Sequence, residues 1–305
     1  MADTHKVDAA AADTAKQTAS GGGWKDFVAG SIAGAAQVAV GHPLDTVKVR
    51  MQIEGSGVFK GPVDCLMKTV RNEGFLGLYK GMASPLVGIA AVNSLLFWAY
   101  SLGKRLQTNS TSPTLGQVAI AGSGAGIVNS VLASPVELLK VRLQTQYSGA
   151  GNTFKGPIPL AKHLVQQFGV RGIMWGFWST VAREIPAYAG FYTGFEFAKR
   201  KFADNLTGGN VDKLGVLPLM ASGSFAGICY WTASYPLDVI KSRVQNSPVP
   251  PKRLGGIIEA AQAISKEQGI KGFFRGYSPS IIRSIPAAGV TFVAYEFVMR
   301  GLNTI

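Results

Sequence analysis

Charge is scarce in this chain, and so are the residue groupings that carry catalysis. Asp, Glu, Lys and Arg make up 15% of 305 residues, where a soluble domain carries about 25%. Two cysteines, Cys65 and Cys229, stand far apart, which excludes a disulfide scaffold and a thiolate metal site. Three histidines, His5, His42 and His163, are isolated, so no HExxH-type zinc motif exists. Ser, His and acids do not gather into a nucleophile–base set, and no Walker glycine run occurs. We therefore expect no enzyme, no metal and no cofactor. The first 23 residues, MADTHKVDAAAADTAKQTASGGG, have neither an apolar core nor an arginine. That argues against a secretory signal and a transit peptide, and residues 1–23 are expected to be a disordered tail ending in a glycine hinge.

What is plentiful is glycine (38 residues), apolar side chains (47%) and positive charge (net +13). Little charge with much glycine suits membrane helices that pack closely. The basic excess asks for anionic lipid or nucleic acid. The bases are spread over three similar blocks near expected helix ends, so no nucleic-acid partner is expected.

Those blocks are internal repeats, which are sought before anything else. Pro43-Leu44-Asp45-Thr46-Val47-Lys48 recurs as Pro135-Val136-Glu137-Leu138-Leu139-Lys140 and as Pro236-Leu237-Asp238-Val239-Ile240-Lys241. A second base follows at Arg50, Arg142 and Arg243, and a glutamine at Gln52, Gln144 and Gln245. Glycines precede at Gly30 and Gly34, Gly122 and Gly126, and Gly223 and Gly227. Downstream stand GFLGLYKG, GVRGIMWG and GIKGFFRG, ending at Gly81, Gly176 and Gly276. The chain divides into repeats 24–112, 113–210 and 211–305. Each holds two apolar segments: 24–53 with 80–106, 115–145 with 175–203, and 214–246 with 275–301. All exceed the ~20 residues needed to cross hydrocarbon. Gly, Ser, Asn and Gln interrupt them, as expected of helices that line a wet interior. The segments GPVDCLMKTVRNEG and GGIIEAAQAISKEQG read as short surface helices. The fold class is all-α: six tilted transmembrane helices in three pseudo-symmetric repeats with short helices on one side.

The repeated proline should kink the first helix of each unit toward a common axis. Acid and base three residues apart share one helical face. Within a helix such a pair is worth a few tenths of a kcal/mol. Across threefold pseudo-symmetry the acid of one unit can meet the base of the next: Asp45 with Lys140, Glu137 with Lys241, Asp238 with Lys48. Half-buried ion pairs are poor glue but can break and reform, which suits a latch. Gln52, Gln144 and Gln245, one turn further on, are expected to brace the pairs.

The triplicated P-x-D/E-x-x-K/R signature with its aromatic-basic-glycine block resembles the mitochondrial carrier family over about residues 24–303. The resemblance implies a multi-pass protein of the mitochondrial inner membrane, a monomer, with alternating access between a matrix gate and a cytoplasmic gate. The matrix gate would be the six residues just paired. The cytoplasmic gate, F/Y-D/E-x-x-K/R on the even helices, is incomplete here: Lys104, Glu196, Lys199 and Glu296 match, while Ser101 lacks the acid and Met299 lacks the base. Only Glu296 with Lys104 would pair between repeats. Tyr79-Lys80-Gly81 and Phe274-Arg275-Gly276 resemble the family's cardiolipin sites; Met174-Trp175-Gly176 lacks the base.

Seven residues past each block-ending glycine stand Gly88, Arg183 and Arg283, followed by Ile89, Glu184 and Ser284. The family's substrate contact points map there, and this pattern resembles the carnitine/acylcarnitine, basic amino acid and glycine-type carriers. Arginine forks onto carboxylates. Arg183 and Arg283 are thus expected to hold acidic groups of a small metabolite, with Glu184 either receiving a cationic head or only neutralising Arg183. In the second case a di- or tricarboxylate is the alternative cargo. Gly88 removes bulk where nucleotide carriers need a wall. Asn93, Gln37, Asn129, Tyr230 and Trp231 are secondary candidates.

Overall fold

The computed structural model describes residues 24–54, 58–107, 113–146, 154–247 and 255–303. The tail expected over 1–23 lies outside these residues. Among the described residues, six long α-helices and three short ones follow in order, a short one between the two long ones of each repeat: α1 (Trp24–Ile53), α2 (Pro62–Glu73), α3 (Ala83–Gln107), α4 (Leu115–Gln144), α5 (Pro157–Phe168), α6 (Phe177–Thr207), α7 (Val216–Gln245), α8 (Gly255–Gln268) and α9 (Tyr277–Asn303). Among the described residues no β-strand forms.

Local signals set the boundaries. A capping box starts α4, with the Thr114 hydroxyl accepting from Gln117 N–H and the Gln117 side chain accepting from Thr114 N–H. Proline opens α2 and α5 at a position where its missing N–H costs nothing. The long helices α1, α4 and α7 run on through Pro43, Pro135 and Pro236.

The long helices close a ring. α1 packs on α3, α3 on α4, α4 on α6, α6 on α7, α7 on α9, and α9 returns to α1. Glycine permits the tightest seam. A Cβ added to Gly122 or Gly126 would stand 2.6 Å from the Tyr188 carbonyl oxygen or 2.7 Å from that of Glu184, both on α6. The corresponding Gly30 and Gly223 face open space. Gly81, Gly176 and Gly276 have φ of +81°, +79° and +83°, a region that favours glycine. Each tucks beneath a neighbouring repeat: Lys140 O, Gln245 Cγ and Lys48 O would lie 3.0, 2.9 and 3.2 Å from an added Cβ.

Among the described residues, one apolar cluster packs Leu96 and Ala99 of α3 against Ala125 of α4. Three others lie one per repeat, where the C-terminal end of α1, α4 or α7 meets its short helix. They centre on Val47, Met51 and Cys65, on Leu138, Leu160 and Leu164, and on Tyr235, Val239 and Ile264. Large apolar side chains point outward from the ring, among them Val87, Ile120, Leu217, Val293 and Phe297. Among the described residues, length and composition alone qualify α4 as a membrane span. The bent pair 75–88 and 91–107, at 51° to one another, is a second candidate. The other long helices fall short because they carry charge and polar groups inward, which a hydropathy average counts against them.

Candidate functional site

Inside the ring lies a cavity of about 480 Å³ with a lining drawn from all six long helices. Its floor is ionic. Lys140 Nζ meets Asp45 Oδ2 at 2.6 Å, Lys241 Nζ meets Glu137 Oε2 at 2.7 Å, and Lys48 Nζ meets Asp238 Oδ2 at 2.7 Å. Every acid of the repeated hexamer thus contacts a base from a different repeat. The pairs are unequally shielded: the Asp238 side chain is 4% exposed and that of Glu137 28%.

Both arginines singled out from the sequence reach this floor. Arg183 Nη2 lies 2.5 Å from Glu137 Oε1 and 2.6 Å from Glu184 Oε1, and its other terminal nitrogen donates to the Tyr230 hydroxyl. Its Nε stands 3.8 Å from Asp238 Oδ1, too far for a hydrogen bond. Arg283 Nε lies 3.0 Å from Asp45 Oδ1, an ion pair without hydrogen-bond alignment. Each arginine therefore sits on an acid that also holds an inter-repeat lysine. In the first repeat the equivalent position is Gly88, and no arginine stands there.

Several expectations need correcting. Glu184 is 2% exposed, is not part of the cavity lining, and spends one oxygen on Arg183. It pairs with its neighbour and stands off the cavity lining. Gly88 does not widen the cavity: an added Cβ would stand 2.7 Å from Val136 Cγ2, so the glycine lets α3 approach α4. The side chains of Ile89, Ser284 and Glu296 lie outside the described residues. Asn93 lines the cavity and is exposed. Asn129 is buried away from the lining, its Nδ2 3.4 Å from the Tyr188 hydroxyl.

Of the three glutamines only Gln52 touches an ion pair, donating to Asp238 Oδ2 at 2.9 Å and to the Tyr235 hydroxyl at 3.2 Å. Gln144 donates instead to Thr46 Oγ1 at 3.1 Å, and Gln245 to Thr180 Oγ1 at 3.3 Å. The reason is local. Thr46 offers a hydroxyl beside Asp45, where the third repeat has Val239. Ahead of its proline the third repeat has the long phenol of Tyr235, where the second has Ser134.

The far end of the cavity is built differently. Glu196 bonds Lys199 Nζ at 2.7 Å and Arg200 Nε at 2.8 Å, both on its own helix. Lys104 is exposed and lies over the ring of Tyr100, 5.7 Å from the centroid. Back at the ion-paired end, Lys80 and Arg275 bond the layer of short helices and its loops. Lys80 donates to Glu73 and to the Gln146 carbonyl, and Arg275 to Gln268 and the Phe59 carbonyl.

An aromatic wall was not foreseen beyond Tyr230 and Trp231. Tyr188, Phe191 and Tyr192 join them on the cavity lining. Tyr192 stacks on Tyr100 at 3.6 Å between centroids, and Lys48 Nζ lies 3.9 Å from the Trp231 ring centre. The sequence held part of the signal, since Tyr188, Phe191 and Tyr192 stand at i, i+3 and i+4 and so share a face.

A ring of six long helices in three repeats, with an ion-paired floor and a water-accessible interior, is the architecture of a solute carrier and not of an enzyme. The mitochondrial carrier protein family model matches three times, over 20–111, 111–206 and 212–305. The chain is 41% identical over 288 residues to mitochondrial substrate carrier family protein S of Dictyostelium discoideum, covering 92% of this chain and 98% of that one. It is 37% identical to the mitochondrial carnitine/acylcarnitine carrier-like protein of Arabidopsis thaliana (92% and 99%) and 36% identical to the mitochondrial carnitine/acylcarnitine carrier protein of Mus musculus (92% and 95%). The chain belongs to the mitochondrial carrier family: it is a multi-pass inner-membrane solute transporter.

Proposed function

We propose that this carrier exchanges small carboxylate-bearing metabolites of the carnitine/acylcarnitine or amino-acid type by alternating access across six transmembrane helices. One observation carries the reading: Arg183 and Arg283 occupy the cavity floor, each on an acid of the inter-repeat ring. A substrate carboxylate that takes either guanidinium must draw it from Glu137 or Asp45. That weakens the neighbouring Lys241 or Lys140 pair, so binding and gate opening share one set of charges. Only a ligand with unequal affinity for the two states can shift them. The closed ring at the C-terminal ends of α1, α4 and α7 is then the matrix gate, and the opposite, cytoplasmic end is open. Names of the relatives favour a carnitine-like cargo, and so does the aromatic wall, since Tyr230 and Trp231 can face a cationic head. The helix N-termini after Gly81 and Gly276 would hold cardiolipin, and the transport unit would be the monomer.

A second reading has its own support. With Glu184 engaged by Arg183, the cavity offers, among the described residues, no spare acid at that level for an ammonium, which suits a di- or tricarboxylate. Purified carrier in proteoliposomes decides. Uptake of labelled carnitine or acylcarnitine, in exchange for internal substrate and lost in Arg283→Ala, is the expected result. Uptake of a tricarboxylate alone would favour the second reading, and unchanged uptake in Arg283→Ala would overturn the site. A bound substrate should also raise the melting temperature by mass action.

A further inference from the structure

The second base of each repeat has no part in the ion-pair ring, yet the three behave alike. Arg50 Nε donates to the Gln144 carbonyl at 3.1 Å, Arg142 Nε to the Gln245 carbonyl at 3.1 Å, and Arg243 Nε to the Gln52 carbonyl at 3.2 Å. Each acceptor is the last residue, or the last but one, of a long helix from another repeat. Its carbonyl is one of the four that a helix end leaves unsatisfied, and a cation is favoured there. The arginines stand further toward the helix C-termini than the lysines, so they form a separate layer beyond the ion pairs.

From this repeated contact we propose a second lock on the same end of the cavity: Arg50, Arg142 and Arg243 each staple the end of a neighbouring repeat's long helix, and the staples must part before that end opens. The proposal rests on the alternating-access reading and adds three positioning residues to it.

The staples are anchored unequally. Arg50 is 1% exposed and forks onto Glu73 at 2.5 and 2.9 Å while also donating to Thr69. Among the described residues Arg142 meets no carboxylate; it stacks on Trp175, 4.3 Å from the ring centre, and donates to the Ser247 carbonyl. Arg243 pairs with Glu267, which is 48% exposed. The same gradient runs through the positions beneath. Glu73 pairs with Lys80, Phe168 meets Trp175 edge-on at 5.1 Å, and Gln268 only reaches Arg275 at 3.5 Å. The seam between α1 and α4 is therefore the firmest of the three and should part last.

The test reads which side of the membrane the cavity faces. Ser224, on the lining, becomes cysteine in a Cys229→Ser background, and a membrane-impermeant maleimide is applied to right-side-out or inverted vesicles. The parent should label from the cytoplasmic side. Lysine in place of Arg142 keeps the charge but loses the planar fork. Loss of one charge-assisted bond changes a two-state ratio by about tenfold. Arg142→Lys should thus raise matrix-side labelling about tenfold, and Arg50→Lys, with Glu73 left to hold the lysine, by less. A lowered melting temperature with labelling unchanged would reduce the arginines to structural staples and overturn the lock. Should Arg142→Lys fail to fold, Arg243→Lys carries the same test at the most exposed anchor. Equal labelling of the parent from both sides would instead sink alternating access itself, and the lock with it.

Discussion

The two ends of the cavity use the same kinds of residue to opposite effect. At the C-terminal ends of α1, α4 and α7, each acid finds its base on another repeat. At the far end, Glu196 finds Lys199 and Arg200 on its own helix, and Lys104 is exposed. Pairs between helices hold helices together; pairs along a helix hold nothing shut. Composition alone does not separate the two ends. What separates them is whether acid and base are placed to meet across the axis.

The contrast is broken most sharply by removing one acid at each end. Asp238→Asn leaves Lys48 buried opposite an uncharged amide and loosens Gln52. Breaking a buried pair costs about 3 kcal/mol or more, a melting shift of about 6 °C at this size. Glu196→Gln disturbs pairs worth about 0.5 kcal/mol and should barely register. Thermal unfolding of the two purified variants checks this, and equal shifts would erase the distinction between the ends.

A middle-sized effect belongs to the layer of short helices beneath the closed end. Burial alone would raise the Glu73 carboxyl, but hydrogen bonds from Arg50 and Lys80 outweigh it and hold the group below its ordinary value of 4.5. A depressed acid contributes stability that is present above its unfolded pKa and lost as pH falls through the folded one. Glu73→Gln should cost about 2 kcal/mol at pH 7. The gap to wild type should close as pH drops below 4.5, as read by melting curves at stepped pH. A constant gap would mean that the carboxylate charge is not what Arg50 needs. Cys65, in the same layer, is pushed up to about 11 chiefly by burial and remains a thiol.

How much of this was legible in the sequence depends on whether a contact obeys the repeat. The three ion pairs were, because acid and base recur at fixed spacing and pseudo-symmetry dictates the partner. The arginine positions were, for the same reason. What failed were the places where a neighbour breaks the symmetry. Gln144 went to Thr46 and Gln245 to Thr180, because each repeat offers a different side chain near its proline. Gly88 was read as space, but its α-carbon faces Val136, and nothing along one strand of sequence names the helix lying opposite. Glu184 was legible only as a choice, since residue 184 neighbours Arg183 whether it faces the cavity or not.

The smallest expected effect sharpens the comparison from the open end. Met299 is buried at the position where the repeat pattern calls for a base, and Glu196 is the acid that the pattern would pair with it. Met299→Lys supplies the missing partner. On the alternating-access reading the ends of α6 and α9 are apart while the cytoplasmic end is open, so the new lysine has little to hold, and Glu196 keeps Lys199 and Arg200. Once the cytoplasmic end closes, the introduced lysine can take Glu196 across the axis. The substitution therefore favours the closed cytoplasmic end by roughly 1 kcal/mol, about fivefold in the ratio of states. The readout is labelling of Ser224→Cys: access from the cytoplasmic side should fall and access from the matrix side should rise by that factor. Glu196→Gln added to Met299→Lys should restore the parent ratio, because the gain belongs to the pair and not to the lysine. Persistence of the shift in the double variant would mean that charge at position 299 acts through something other than a gate.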